Sequence, residues 1–150
     1  MIKAMFIADQ SLGQQRQVSE IELVKGKGIV GDRNFDQARW PGQNITFIEQ
    51  EQIDQFNQDY QQQIGLADTR RNIITTGIRL NDLVGKEFMI GETRFKGVEL
   101  CEPCATLGRL LANDTILKKE VVRAFVHKSG LRADVISNGV IDDSMDISIL

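Results

Sequence analysis

Apolar positions along the chain repeat with two different periods, and the changes of period mark the elements. Ile2 to Ala8 is a short, almost continuous apolar run, and Val18 to Val24 sets Ile21 and Leu23 against Glu20 and Glu22, which together predict two strands in an antiparallel start. Between them, polar Asp9-Gln10-Ser11-Leu12-Gly13-Gln14-Gln15 reads as a turn. Asn44 to Ile48 predicts another strand. From Glu49 to Gln63 the spacing becomes three and four, so that Ile53, Phe56, Tyr60 and Ile64 draw one apolar stripe along a glutamine-rich helix. Thr69 to Ile78 opens with Arg70-Arg71 and continues with β-branched residues, predicting a strand with a cationic entrance.

In the second half, Glu87 to Gly91 and Thr93 to Leu100 alternate as a hairpin turning at Gly91-Glu92. Ala105 to Leu111 has short helical potential. Asp114 can cap a longer helix from Thr115 to His127, with Leu117, Val121, Ala124 and Phe125 as its buried stripe. Leu131 to Ile136, Gly139 to Ile141 and Asp146 to Leu150 are short β-like pieces. Many short strands, two or three short peripheral helices and no repeated strand-helix alternation predict a mainly β domain over residues 1–150, closed or strongly curled into a barrel to protect its edges.

Composition narrows the class. The 150 residues suffice for one core without disulfide staples, and 41% hydrophobic with 26% charged residues is a globular balance. No apolar run is long enough to span a bilayer, the first residues lack the core of a signal peptide, and a cytoplasmic protein is expected. The net charge of −3 argues against nucleic-acid binding. Positive charge nevertheless concentrates in residues 64–132, while residues 133–150 hold Asp134, Asp142, Asp143 and Asp146 and no Lys or Arg. Such a basic middle suits a small anionic ligand, or is simply a solvated surface.

The candidate chemistry gathers at Leu100-Cys101-Glu102-Pro103-Cys104, which holds both cysteines of the chain. A C-x-x-C pair can be half a zinc site, a dithiol redox centre, a sulfur acceptor with a neighbouring thiol, or two buried small residues. Two cysteines and His127 do not supply a structural zinc site, so no structural zinc is expected, and the βαβ context of a thioredoxin-like centre is missing. A thiolate at Cys104 would gain from a helical turn just after it and from nearby cations, whereas Glu99 and Glu102 would oppose it. His127, beside Lys128 at a predicted helix end, is explained by the helix C-terminus as readily as by a ligand role. Gly26-Lys27-Gly28-Ile29-Val30-Gly31-Asp32-Arg33 matches neither a dinucleotide fingerprint nor a P-loop, and its last two residues can form a structural ion pair.

Taken together, Gly28-Ile29-Val30-Gly31-Asp32-Arg33, Arg71-Asn72-Ile73, Gly77-Ile78-Arg79-Leu80-Asn81-Asp82-Leu83-Val84-Gly85-Lys86, Gly91, Leu100-Cys101-Glu102-Pro103-Cys104 and Gly130-Leu131-Arg132-Ala133 resemble, in order, the MOSC family. That family comprises the C-terminal domain of molybdenum cofactor sulfurases and short stand-alone bacterial proteins. The resemblance implies a β-barrel-like fold and a cysteine that carries sulfur as a persulfide or ligates the molybdenum of a pterin cofactor (molybdopterin). By its position after proline that cysteine is Cys104, with Cys101 as an assisting, resolving thiol. Arg71, Arg132 and Arg33 would then meet the cofactor's phosphate, and Asn72 and His127 would add hydrogen bonds. The implied partners are a pyridoxal-phosphate-dependent cysteine desulfurase or a molybdenum-cofactor enzyme. The expected activity is sulfur carriage or cofactor binding; the alternatives are a molybdenum-dependent reductase of N-hydroxylated compounds and a non-catalytic interaction module with buried cysteines.

Overall fold

The computed structural model describes residues 1–10 and 13–150, so Ser11 and Leu12 of the predicted turn lie outside the described residues. The chain opens with β1 (Ile2–Ile7), β2 (Arg16–Val18), β3 (Glu20–Val24) and the two-residue β4 (Gly28–Ile29). β5 (Ile45–Glu49) runs directly into α1 (Gln50–Tyr60), which leads back to β6 (Ile73–Thr75). A 3-10 turn at Leu80–Leu83 precedes the hairpin of β7 (Glu87–Ile90) and β8 (Thr93–Leu100). Then follow α2 (Ala105–Leu111), α3 (Lys118–Phe125), β9 (Leu131–Val135), β10 (Gly139–Asp142) and β11 (Ile147–Ile149).

Eight strands form one sheet in the order β11-β7-β8-β9-β5-β6-β1-β2, and β10-β3-β4 form a smaller one. The large sheet curls into a half-barrel, the curled form of the architecture expected from the sequence. Its strands pair antiparallel except β5 and β6, which run parallel because α1 carries the chain back across. One core joins the two sheets: Met5, Ile7, Phe47, Phe88 and Phe95 pack with Ile21, Leu23 and Ile141. At its centre Phe88 and Phe95 stack at 5.4 Å, with Phe47 edge-on to both at 5.6 and 6.0 Å. A second core lies on the other face of the large sheet, where Phe6, Ile48 and Ile74 meet Ile53, Phe56, Leu107, Val121 and Phe125 from the three helices. Successive strand residues alternate faces, so β1 is buried on both sides, which explains its almost continuous apolar run.

Four sequence expectations change. The predicted strand over 18–24 breaks at Ser19: β2 pairs with β1, while β3 leaves for the smaller sheet. α1 ends at Tyr60 because Gln61 turns left-handed, and Ile64, beyond the helix, is held by the Asn57 side chain through bonds of 2.9 and 3.1 Å to its backbone. The strand expected over 69–78 is only Ile73–Thr75; Arg70 has φ 60 and its N–H closes a turn onto the Ala67 carbonyl at 3.1 Å. Asp114 caps no helix. Instead the Asn113 carboxamide accepts the Thr115 N–H at 2.8 Å and the Glu120 carboxylate accepts the Leu117 N–H at 3.2 Å, starting α3 at Lys118. Ile116 thereby takes the buried place and Leu117 is 58% exposed.

Candidate functional site

Just past the end of β8, the Cys101 N–H donates to the Gly130 carbonyl at 2.8 Å, and its carbonyl accepts from the Ser129 hydroxyl. Gly130 makes this approach feasible: it has φ 108, and a Cβ there would overlap the Phe47 carbonyl. Cys101 is 1% exposed, and burial pushes its thiol pKa up against the opposing charges of Arg71 and Arg132. Cys104, three residues on, is exposed and forms the extended residue that caps α2. Its thiol is held below the ordinary thiol range, chiefly by the Leu107 backbone N–H facing it. Partial burial works against this, while the Thr106 N–H and hydroxyl and the Arg71 charge reinforce it. The two cysteines are therefore chemically unlike: one is hidden as a thiol, the other presented toward its thiolate form.

Cys104 opens on a pocket of about 190 Å³ whose wall carries Arg33, Arg70 and Arg71, two threonines, Thr69 and Thr106, and no acidic residue. Each arginine is fixed from behind. Arg33 donates to the Gln15 amide oxygen at 3.0 Å and to the Arg70 carbonyl at 3.3 Å, and lies 3.7 Å from Asp32, the ion pair foreseen for the glycine turn. Burial lowers its pKa and Asp32 opposes that, but a guanidinium stays protonated at any ordinary pH. Arg70 donates to the Gly13 carbonyl, and Arg71 Nε donates to the Ser129 carbonyl at 2.9 Å, tying the pocket to the Cys101 loop. Two buried groups have no partner among the described residues: Thr69 Oγ1 and Arg70 Nη2. Thr69 and Arg70 are both lining residues of the pocket, and buried donors left unpaired are rare enough to call for an acceptor.

A family model described as MOSC domain matches residues 34–146, three-quarters of the chain and most of the segment that builds this site. The chain belongs to the MOSC domain family. Solved structures of similar fold include the YuaD protein from Bacillus subtilis, with a TM-score of 0.83 and 17% identity over 99% of this chain and 98% of that one. YiiM from Escherichia coli follows with a TM-score of 0.73, 16% identity and coverage of 99% and 69%. YiiM from Geobacillus stearothermophilus has a TM-score of 0.71, 13% identity and coverage of 98% and 73%. At such identities these likenesses speak for the fold alone. No curated protein matches the sequence significantly.

Within this MOSC domain the residues expected to act together fall in three places. Cys104, Arg71 and Arg33 share the cationic pocket. Asn72 and Arg132 line a second, polar pocket of about 110 Å³ with Asn34, Gln43 and Thr46, and its Asn34 and Asn72 directly follow Arg33 and Arg71 of the cationic pocket along the chain. Asn72 is a strut there: its carboxamide oxygen accepts the Thr46 N–H and hydroxyl, both at 3.1 Å, and its amide donates to the Phe6 carbonyl at 3.2 Å. Arg132 Nε lies 3.8 Å from Glu99. His127 borders neither pocket; its N–H and Nδ1 lie 3.1 and 3.2 Å from one Glu102 oxygen, and Asn81 donates to its carbonyl at 3.0 Å, so it braces the cysteine loop from outside. Of the two cysteines, the reading as buried small residues describes Cys101 and not Cys104. Among the described residues no helix is long and apolar enough to cross a membrane.

Sequence reasoning missed Thr69 and Thr106 and left Arg70 at a strand entrance. In an extended strand neighbouring residues face opposite sides, so Arg70 and Arg71 could not both serve one pocket. The left-handed residue at Arg70 is what turns both into the same wall.

Proposed function

We propose that this MOSC protein is a sulfur carrier whose Cys104 accepts sulfane sulfur as a persulfide. The observation that carries the reading is a single exposed thiol, held toward its thiolate form chiefly by the Leu107 backbone N–H and open to a pocket. The Cys104 thiolate attacks the terminal sulfur of a donor persulfide; the new S–S bond forms as the donor's S–S bond breaks, and the donor cysteine leaves as a thiolate. A pyridoxal-phosphate-dependent cysteine desulfurase is the partner of that chemistry, and the pyridoxal phosphate resides in the partner. Burial of Cys101 favours delivery to an external acceptor over release through an internal disulfide. The test is intact mass after incubation with a cysteine desulfurase and cysteine. One added sulfur is expected in the wild type and in Cys101→Ser and none in Cys104→Ser; equal loading of Cys104→Ser overturns the assignment.

The same residues fit a molybdenum cofactor, because a soft thiolate suits molybdenum and the lining arginines suit a pterin phosphate. Cys104 would be the protein ligand, with Arg33, Arg70 and Arg71 on the phosphate and Arg132 at the second pocket. When bound, that cofactor would supply two-electron redox chemistry, including reduction of N-hydroxylated compounds. Metal and pterin analysis of protein from a cofactor-competent host, with turnover of an N-hydroxylated substrate, tests this second reading. Molybdenum at one equivalent is expected if it holds, and its absence contradicts it.

A further inference from the structure

The sulfur-carrier reading names the thiol but leaves the cationic pocket without a purpose of its own. A protein persulfide donor, approaching as a side chain, needs access to Cys104 and has no requirement for three guanidinium groups. The pocket is also unlike a general surface patch. Its arginines are held by specific bonds, Arg33 by Gln15 and the Arg70 carbonyl and Arg71 by the Ser129 carbonyl, so their positions are fixed before anything binds. Among the described residues the hydroxyl of Thr69, which is 1% exposed, has no hydrogen-bond partner, and the buried Arg70 Nη2 has no acceptor. Arg71 spends Nε on Ser129, and its two terminal nitrogens carry no protein hydrogen bond among the described residues. These groups are donors only or can act as donors, and no carboxylate in the wall answers them. A volume of about 190 Å³ admits a small, compact oxyanion.

From this geometry we infer that the pocket binds a small sulfur oxyanion that bears a sulfane sulfur, the thiosulfate class, and that Cys104 takes its sulfur from it directly. The inference rests on the sulfur-carrier reading and adds a low-molecular-mass donor. The sulfonate oxygens meet Arg70, Arg71 and the Thr69 hydroxyl, and the sulfane sulfur lies toward Cys104. The Cys104 thiolate attacks that outer sulfur. A bond forms between the two divalent sulfurs, the bond from sulfane sulfur to the sulfonate sulfur breaks, and sulfite departs with the electron pair. Thiolate and thiosulfate become persulfide and sulfite, three negative charges on each side, with no other oxidant, reductant or proton required. The arginines matter twice in this step, since they hold the dianion beside a thiolate that would otherwise repel it and then stabilise the charge gathering on the departing sulfite.

The experiment compares two donors on the same protein. Native protein is incubated with thiosulfate, its intact mass is taken, and cyanide is then added to release thiocyanate. One sulfur on the wild type, sulfite in solution and no loading of Cys104→Ser are expected. Thr69→Val removes only the buried hydroxyl and should raise the KM for thiosulfate roughly tenfold, the scale of a hydrogen bond to a charged group, while loading by a desulfurase stays at the wild-type rate. If a desulfurase loads Cys104 and thiosulfate does not, the inference falls and the sulfur-carrier reading stands; if neither loads it, both fall. Thiosulfate that protects Cys104 from alkylation without transferring sulfur also overturns the inference, as does equal slowing of both donors by Thr69→Val.

Discussion

Cys104 and Cys101 sit three residues apart and are separated by nearly everything that governs a thiol. The Leu107 N–H and its neighbours lower the Cys104 pKa, while burial raises that of Cys101. Alkylation of native protein at neutral pH should therefore modify Cys104 alone, and its rate should level off at a lower pH than that of a free thiol near 8.5. Cys101 should react only after unfolding; equal rates for the two would contradict the assignment. Arg71→Gln removes one of the smaller supports of the thiolate, so its Cys104 should alkylate a few-fold more slowly at neutral pH and converge with wild type at high pH. The helix-capping place of Cys104 was legible from the short helical pattern after Pro103. The burial of Cys101 was not, because it depends on Ser129 and Gly130, brought alongside by the pairing of β8 with β9.

Among the elements, the junction of β5 and α1 carries a buried carboxyl, Glu49, whose pKa burial raises despite Arg79 at 3.8 Å. A carboxyl with a folded pKa above its unfolded value favours folding when protonated; that stability is fully present below the unfolded value, falls as the pH rises from it through the folded value, and is lost above it. Glu49→Gln should accordingly be more favourable relative to wild type at pH 7 than at a pH below about 4, where both side chains are neutral, as urea titrations at the two pH values would show. An unchanged difference would refute it. Gly130→Ala should lose at least about 2 kcal/mol, from a left-handed residue and the overlap with the Phe47 carbonyl, measured by the same titration. The elements themselves were largely legible where a period ran for several residues, as in α1 and the β7-β8 hairpin. Their ends were not. Asn113 and Glu120 start α3, and Gln61 stops α1, through side-chain and backbone bonds that compete with the apolar pattern and leave no trace in it.

At the scale of the molecule, the curled sheet, the small sheet and the helices make two cores that share β1, β5 and β6. Phe95 belongs to the aromatic centre of the first, and Phe95→Ala should cost about 3–5 kcal/mol of unfolding free energy. The mainly β architecture and the MOSC family could be read from the ordered motifs. The pocket could not, since it joins Arg33, residues 69–71 and Cys104 from three distant segments and depends on one left-handed residue. The central claim is that Cys104 is the sulfur acceptor. Its most direct test is a site-resolved mass spectrum of native protein loaded by a cysteine desulfurase and trapped with an alkylating agent. One tryptic peptide, residues 97–109, contains both cysteines, and fragment ions that part at Pro103 separate them. The extra sulfur is expected on the Cys104 side; sulfur on Cys101, or on neither, would contradict the account.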